Sequence, residues 1–264
     1  VKFSLVEKNK KHLVTNKKIH LIEVHNTQNS LTKLAKYIIK KNKKIKVICI
    51  TGSSGKTTLK EWLSKILKKE FAVYSNPGNF NNHIGMPLSL INIPYKTEIC
   101  ILELGMNSYG EIKKLAEIAK PHIAIITNIG DAHIGNFSTN IEIAKEKSDI
   151  FQYFNKNSIA IIPGDSKYIN LIKRKAQTKT KKIFTFGENE KCDSKFVSYE
   201  DEKVSFILSK QRINLKKKIK FKNWESVMNG KFIDSDVLLT KNNGKKNKLP
   251  FFNKGLWWVQ GMSS

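Results

Sequence analysis

Residues Val47 to Thr58 read VICITGSSGKTT, an apolar, β-branched run that stops at a glycine-bounded turn and passes directly into the helical pattern Leu59 to Lys69. Strand, tight turn and helix in immediate succession confine the chain to folds built from β-loop-α units. The turn Gly52-Ser53-Ser54-Gly55-Lys56-Thr57-Thr58 has the chemistry of a phosphate-binding loop. Its backbone N–H groups sit at the positive end of the following helix, Lys56 adds a point charge, and the Thr57 hydroxyl suits Mg²⁺. The strict pattern asks for glycine at position 50, where this chain has Ile50, so a glycine turn that merely caps a helix is the plainer alternative.

From Val47 onward, short apolar runs alternate with helical patterns. ICI is followed by Leu59 to Lys69, FAVY by Gly85 to Asn92, EICILEL by Tyr109 to Ala119, HIAIIT by Ile141 to Phe154, and SIAII by Ser166 to Ala176, before KIFTF. This predicts an α/β fold with a mainly parallel, doubly wound sheet, whose ligands lie beyond the carboxyl ends of the strands. After Gly187 the period changes to two, in KFVSYE, KVSFILS and INLKKKIKF, which predicts a small antiparallel β meander with turns at Asp201-Glu202 and near Lys210. Ahead of the loop, HLIEV reads as a strand and Ser30 to Lys41 as an amphipathic helix with Ser30 as N-cap. The end of the chain is a lysine and asparagine linker followed by an apolar patch, Phe251-Phe252 and Trp257-Trp258.

The chain has 264 residues, 40% of them hydrophobic, enough for one large or two modest domains. No uncharged apolar run reaches the length of a membrane span, and VKFSLVEKNKKHL lacks a signal-peptide core, so a cytoplasmic location is expected. Cys49 and Cys100 lie in apolar runs and Cys192 in a polar one, without metal-like spacing, which predicts unreactive thiols. The net charge of +26 is the usual sign of a nucleic-acid partner. Its make-up argues against specific nucleic-acid binding: only Arg174 and Arg212 among 48 basic residues are arginine, and the lysines are scattered over the whole length.

Three further clusters carry chemistry. Glu103 ends the run EICILEL and would project from a strand end toward the phosphate loop, as a Mg²⁺ ligand alongside Thr57 or, more plainly, as an edge carboxylate. Ser108 to Glu111 has capping-box spacing, so Glu111 reads as structural. HIAIIT ends in Asn128-Ile129-Gly130-Asp131-Ala132-His133, where His133 could ligate a cation or orient phosphate, although a lone histidine commonly does neither. The loop Asn76 to Gly85 offers several amides to a polar ligand, or is simply an asparagine-rich turn. Residue chemistry alone gives Lys147 no role beyond that of a solvated lysine.

The segments ITGSSGKTTLKE, NPGNFNNHIGMPLSL, LELGMNSYGEI, ITNIGDAHIGNF and AKEKSDIF, taken in order, resemble the Mur ligase family, most closely its branch that adds D-alanyl-D-alanine to UDP-N-acetylmuramoyl-tripeptide. The family's phosphate loop lacks the first glycine, which accounts for Ile50. The resemblance implies an ATP-dependent ligation: ATP phosphorylates the peptide carboxylate to an acyl phosphate, and the amine of D-alanyl-D-alanine then displaces phosphate. It further implies that Gly52 to Thr58 bind ATP, that Thr57 and Glu103 hold one Mg²⁺, and that His133 helps hold a second. Lys147 matches the family's carbamylated lysine, an anionic partner for that second ion, and Asn79, Asn81 and Asn82 would face the muramoyl-peptide.

The likeness runs from about Leu21 to Phe186 and weakens beyond it. Where relatives carry a histidine and asparagines beside the adenine, this chain has KNWESVMNG, with Asn229 at the place of the last asparagine and no histidine before it. The expected organisation is a remnant of an N-terminal substrate domain over 1–44, a central ATP-binding domain over 45–240, and a linker with an aberrant tail over 241–264. On that reading the family's C-terminal domain is absent, and the chain is a monomer that is weakly active or inactive alone. The alternatives are another Mur-type or folylpolyglutamate-type amide ligase, a basic ATPase that binds nucleic acid, and a remnant without nucleotide affinity.

Overall fold

The computed structural model describes residues 3–14, 19–130, 136–200, 203–208, 211–216 and 238–240. Two short strands, β1 (Phe3–Glu7) and β2 (His20–Val24), pair in parallel as a separate two-stranded sheet. Helix α1 (Thr27–Lys41) follows, and it begins three residues before the expected start at Ser30. Its N-cap is Asn26, whose side chain accepts the Asn29 N–H at 2.8 Å, so the cap falls on asparagine rather than on Ser30.

The main sheet is built from β3 (Lys46–Thr51), β4 (Val73–Ser75), β5 (Ile99–Glu103), β6 (Ile123–Ile126), β7 (Ile159–Pro163), β8 (Lys182–Gly187) and β9 (Ser194–Glu200). These seven strands are parallel in the order β9-β8-β7-β6-β3-β5-β4, with β3 between β5 and β6. Strands β10 (Lys203–Leu208), β11 (Gln211–Lys216) and β12 (Leu238–Thr240) extend the β9 edge by antiparallel pairing. The meander expected after Gly187 is thus continuous with the parallel sheet. Its turns at Asp201-Glu202 and Lys210 lie outside the described residues.

Helices α2 (Lys56–Leu67), α3 (Gly85–Ile91), α4 (Glu111–Ala119), α5 (Asn140–Ser148) and α6 (Ile169–Gln177) cover the two faces. Successive strand residues point to opposite sides, so Ile48, Ile50, Ile99 and Ile101 pack against Leu59, Leu63 and Leu67 of α2. Val47, Cys49, Cys100 and Leu102 meet the layer formed by α1, α3, α4, α5 and α6 on the other face. Strands covered on both sides must be apolar throughout, which is why these runs lack polar alternation.

Three local expectations are corrected. Helix α2 starts at Lys56, inside the loop motif, because Gly55 at φ 73° takes the left-handed N-cap position. At α4 the N-cap is Gly110 rather than Ser108, although Glu111 does reach back to the N–H groups of Asn107 and Ser108. A complete capping box occurs instead at α5, between Thr139 and Glu142; α5 ends at Ser148, and a 3-10 turn continues to Phe151. Cys49 and Cys100 are fully buried, where desolvation pushes both thiols well above their ordinary range, while half-buried Cys192 is pushed up to about 11. Among the described residues no helix is long and apolar enough to cross a membrane.

Candidate active site

The sheet register assembles the site. Ile50 of β3 lies opposite Glu103 of β5, and Thr51 opposite Ile126 of β6, so three strands end on one rim around the turn Gly52 to Gly55. The end of β6 braces that turn. The Asn128 side-chain oxygen accepts the N–H groups of Ser53 and Ser54 at 3.0 and 2.9 Å, and Thr127 Oγ1 donates to the Ser54 carbonyl at 2.6 Å. The Ser53 hydroxyl donates to the Gly130 carbonyl and accepts the Gly130 N–H. Gly52 is required for this fit, since a Cβ there would fall 1.7 Å from Thr127 Oγ1. With Ser53 and Ser54 engaged, the first turn of α2, whose N-cap carries no side-chain hydrogen bond, is the part of the loop that could receive an anion.

Glu103 is the hub of the second half of the site and is only 3% exposed. Thr57 Oγ1 donates to its Oε2 at 2.7 Å and Asn81 Nδ2 to its Oε1 at 2.9 Å. Asn76 fixes the backbone at the same residue, accepting the Glu103 N–H at 2.9 Å and donating to the Glu103 carbonyl at 3.2 Å. Gly105 makes room for Asn81, because a Cβ there would lie 2.9 Å from the amide. The buried Lys60 Nζ stands 3.6 Å from Glu103 Oε2.

Two more ammonium groups meet at the loop. Lys56 Nζ and Lys147 Nζ each donate to the Gly52 carbonyl at 2.9 Å. Burial lowers the pKa of Lys56, opposed by the charge of Glu103. Lys147 is 1% exposed, and its pKa falls to about 7, through burial first and then the Lys56 charge, with Glu146 opposing. The solvated lysine expected from residue chemistry alone is therefore a buried one.

Residues 50–230 match the family model of the Mur ligase middle domain. The chain belongs to the Mur ligase family. A UDP-N-acetylmuramoyl-tripeptide–D-alanyl-D-alanine ligase of Rickettsia prowazekii is 41% identical over 193 residues, which are 72% of this chain and 42% of that protein. The enzyme of the same name from Treponema pallidum is 45% identical over 145 residues, 55% of this chain and 32% of that protein. The chain therefore spans less than half the length of these curated relatives. Among solved structures, MurF of Acinetobacter baumannii superposes with a TM-score of 0.69 at 30% identity, over 77% of this chain and 46% of that one. A MurF ligase from Thermotoga maritima in complex with ADP gives 0.67 at 30% identity, over 77% and 47% of the two chains.

Of the residues read from the sequence, the structure brings together Gly52 to Thr58, Glu103, Asn81 and Lys147. Asn82 lies just ahead of α3, its Oδ1 accepting the N–H groups of Ile84 and Gly85, while Asn79 is exposed on the neighbouring turn. His133, Asn229, Trp257 and Trp258 lie outside the described residues. Sequence reading missed Asn76, Thr127 and Asn128 as braces, Lys60 as the partner of Glu103, and Glu146. The last is a buried carboxylate on α5 that accepts the N–H groups of Gly110 and Ile112 at 2.8 and 2.9 Å, at the positive end of α4. The one available signal was a charged residue at an apolar helix position, as for Lys60 among Leu59 and Leu63.

Proposed function

We propose that this chain supplies the nucleotide-binding part of an ATP-dependent ligase that joins D-alanyl-D-alanine to UDP-N-acetylmuramoyl-tripeptide. On this reading residues 45–240 form the ATP-binding unit, 1–44 the edge of a substrate domain and 241–264 a linker. The observation that carries it is the Thr57–Glu103 contact at the foot of the phosphate loop. Two oxygens 2.7 Å apart are close to the roughly 2.9 Å edge of an octahedron with Mg–O bonds of about 2.0–2.1 Å, so they suit adjacent positions around Mg²⁺. Among the described residues no group of three or more His, Cys, Asp or Glu side chains is placed to hold a metal. Thr57 and Glu103 would hold Mg²⁺, and the ion would supply screening between the triphosphate and the incoming carboxylate.

The chain's own groups then divide the work. The α2 N-terminus receives the β- and γ-phosphates, and Lys56 leaves the Gly52 carbonyl to pair with them. Peptide carboxylate attack on the γ-phosphorus gives an acyl phosphate and ADP. The amine of D-alanyl-D-alanine adds to the acyl carbon, loses a proton and expels phosphate. On this reading Asn79, Asn81 and Asn82 would face the muramoyl-peptide, and Asn229 is the candidate for the adenine. Lys147, whose pKa burial brings down to about 7, would in its neutral form take up CO₂ with release of a proton to become a carbamate, which with His133 would hold a second Mg²⁺.

Calorimetric titration with ADP and ATP, with and without Mg²⁺, tests the proposal. Micromolar binding that strengthens with Mg²⁺ and disappears in Lys56→Ala is expected; absence of nucleotide binding by the unsubstituted chain overturns it. Ligation, assayed in a protein carrying this chain together with the family's remaining domains, should follow D-alanyl-D-alanine rather than another amino-acid acceptor.

A further inference from the structure

Lys60 is a buried charge that the proposed chemistry leaves unused. It lies on α2 one turn beyond Lys56 and is 3% exposed. Nζ donates to the carbonyls of Asn76 at 3.0 Å and Gly78 at 3.1 Å, and stands 3.6 Å from Glu103 Oε2. A lysine is seldom buried this deeply for stability alone, because desolvation offsets most of what an ion pair returns.

We infer that Lys60 is a positioning residue for the metal–nucleotide site, acting through Glu103 and the loop that begins at Asn76. This inference rests on the reading of Thr57 and Glu103 as Mg²⁺ ligands. A distance of 3.6 Å supplies counter-charge to Oε2 without spending an oxygen lone pair on a hydrogen bond, so the oxygen stays open to the Thr57 hydroxyl or a cation. The two carbonyl contacts anchor the turn from Asn76 to Gly78. Within that turn Asn76 fixes the Glu103 backbone, and three residues beyond it Asn81 donates to Oε1. One ammonium thereby ties the phosphate-loop helix to both ends of the carboxylate's hydrogen-bond ring, the arrangement by which outer partners orient a metal ligand.

The test is Mg²⁺ enhancement of ADP binding, measured by calorimetry on the full chain in the unsubstituted protein, Lys60→Met, Glu103→Gln and the double variant. Lys60→Met should keep its metal-free ADP affinity and lose about 10- to 100-fold of the Mg²⁺ enhancement, the range typical of outer partners of a metal ligand. In the Glu103→Gln background the same change should cost nothing further, since Lys60 acts through that carboxylate. Lys60→Arg keeps charge and donors but places a broader head against Oε2. It should fold even where Lys60→Met does not, and should lose part of the enhancement. Full Mg²⁺ enhancement in a folded Lys60 variant, or additive losses in the double variant, overturns the inference while leaving the nucleotide site standing. An unsubstituted chain whose ADP binding ignores Mg²⁺ overturns the metal reading, and the role of Lys60 with it.

Discussion

Lys56 and Lys147, 91 residues apart in sequence by their numbering, donate to the same carbonyl oxygen, that of Gly52, each at 2.9 Å. Two ammonium groups on one acceptor repel each other, and that repulsion adds to burial in bringing the Lys147 pKa down to about 7. The unfolded chain holds this proton up to about pH 10.4. Between those values it binds more protons than the folded chain, so the stability cost of Lys147 is full below pH 7 and relieved as pH rises toward 10.

Lys147→Met should therefore stabilise the chain at pH 7 in CO₂-free buffer by about 1–2 kcal/mol, or a rise of about 2–4 °C in Tm, while Gly52 keeps Lys56 as its partner. Thermal melts from pH 6.5 to 9.5 check this, and the gain should shrink across that window. A gain independent of pH contradicts the assignment.

Gly52→Ala pits a methyl group against Thr127 Oγ1, which already bonds the Ser54 carbonyl. The expected cost is about 1–3 kcal/mol from overpacking, together with a loss of ADP affinity as the turn shifts. Adding Thr127→Ala removes the nearest clashing atom and should return part of the stability. Denaturant midpoints and ADP titration on the two variants measure both effects.

Glu146→Ala leaves the N–H groups of half-buried Gly110 and buried Ile112 without their acceptor. At about 1–3 kcal/mol for each such group, a loss near 3 kcal/mol is expected. Amide exchange at Gly110 and Ile112 should quicken by far more than at the β3 core. Unchanged exchange at those two amides would show that α4 does not depend on this carboxylate.

His122 Nδ1 accepts the Val47 N–H at 3.1 Å at the opposite end of β3 from the loop, and burial, then the charge of Lys46, lowers its pKa. Protonation removes that acceptor. Its contribution is intact above the ordinary value of about 6.5 and is lost as pH falls through the folded value below it. His122→Asn, which keeps an acceptor that does not titrate, should match the parent at pH 8 and melt at a higher temperature than the parent at pH 5. Parallel pH profiles for the two proteins would contradict this.

Signals confined to a few neighbouring residues are legible in the sequence itself. The run VICITGSSGKTT announces strand, loop and helix because its apolar stretch, its two glycines and its helix start lie side by side, and the run EICILEL places Glu103 at a strand end by the same local arithmetic. Helix starts are less legible where several small polar residues compete. Asn26 and Ser30 are both good caps, and the cap falls on Asn26, whose side chain reaches the Asn29 N–H.

What surrounds the loop is decided by strand order. Placing β3 between β5 and β6 brings Asn128 onto Ser53 and Ser54, 75 and 74 residues away, and Lys147 onto Gly52, 95 residues away. No spacing along the chain encodes those separations. They follow from which apolar faces can be covered on both sides of one twisted sheet, and that is a property of the whole packed core rather than of any segment in it.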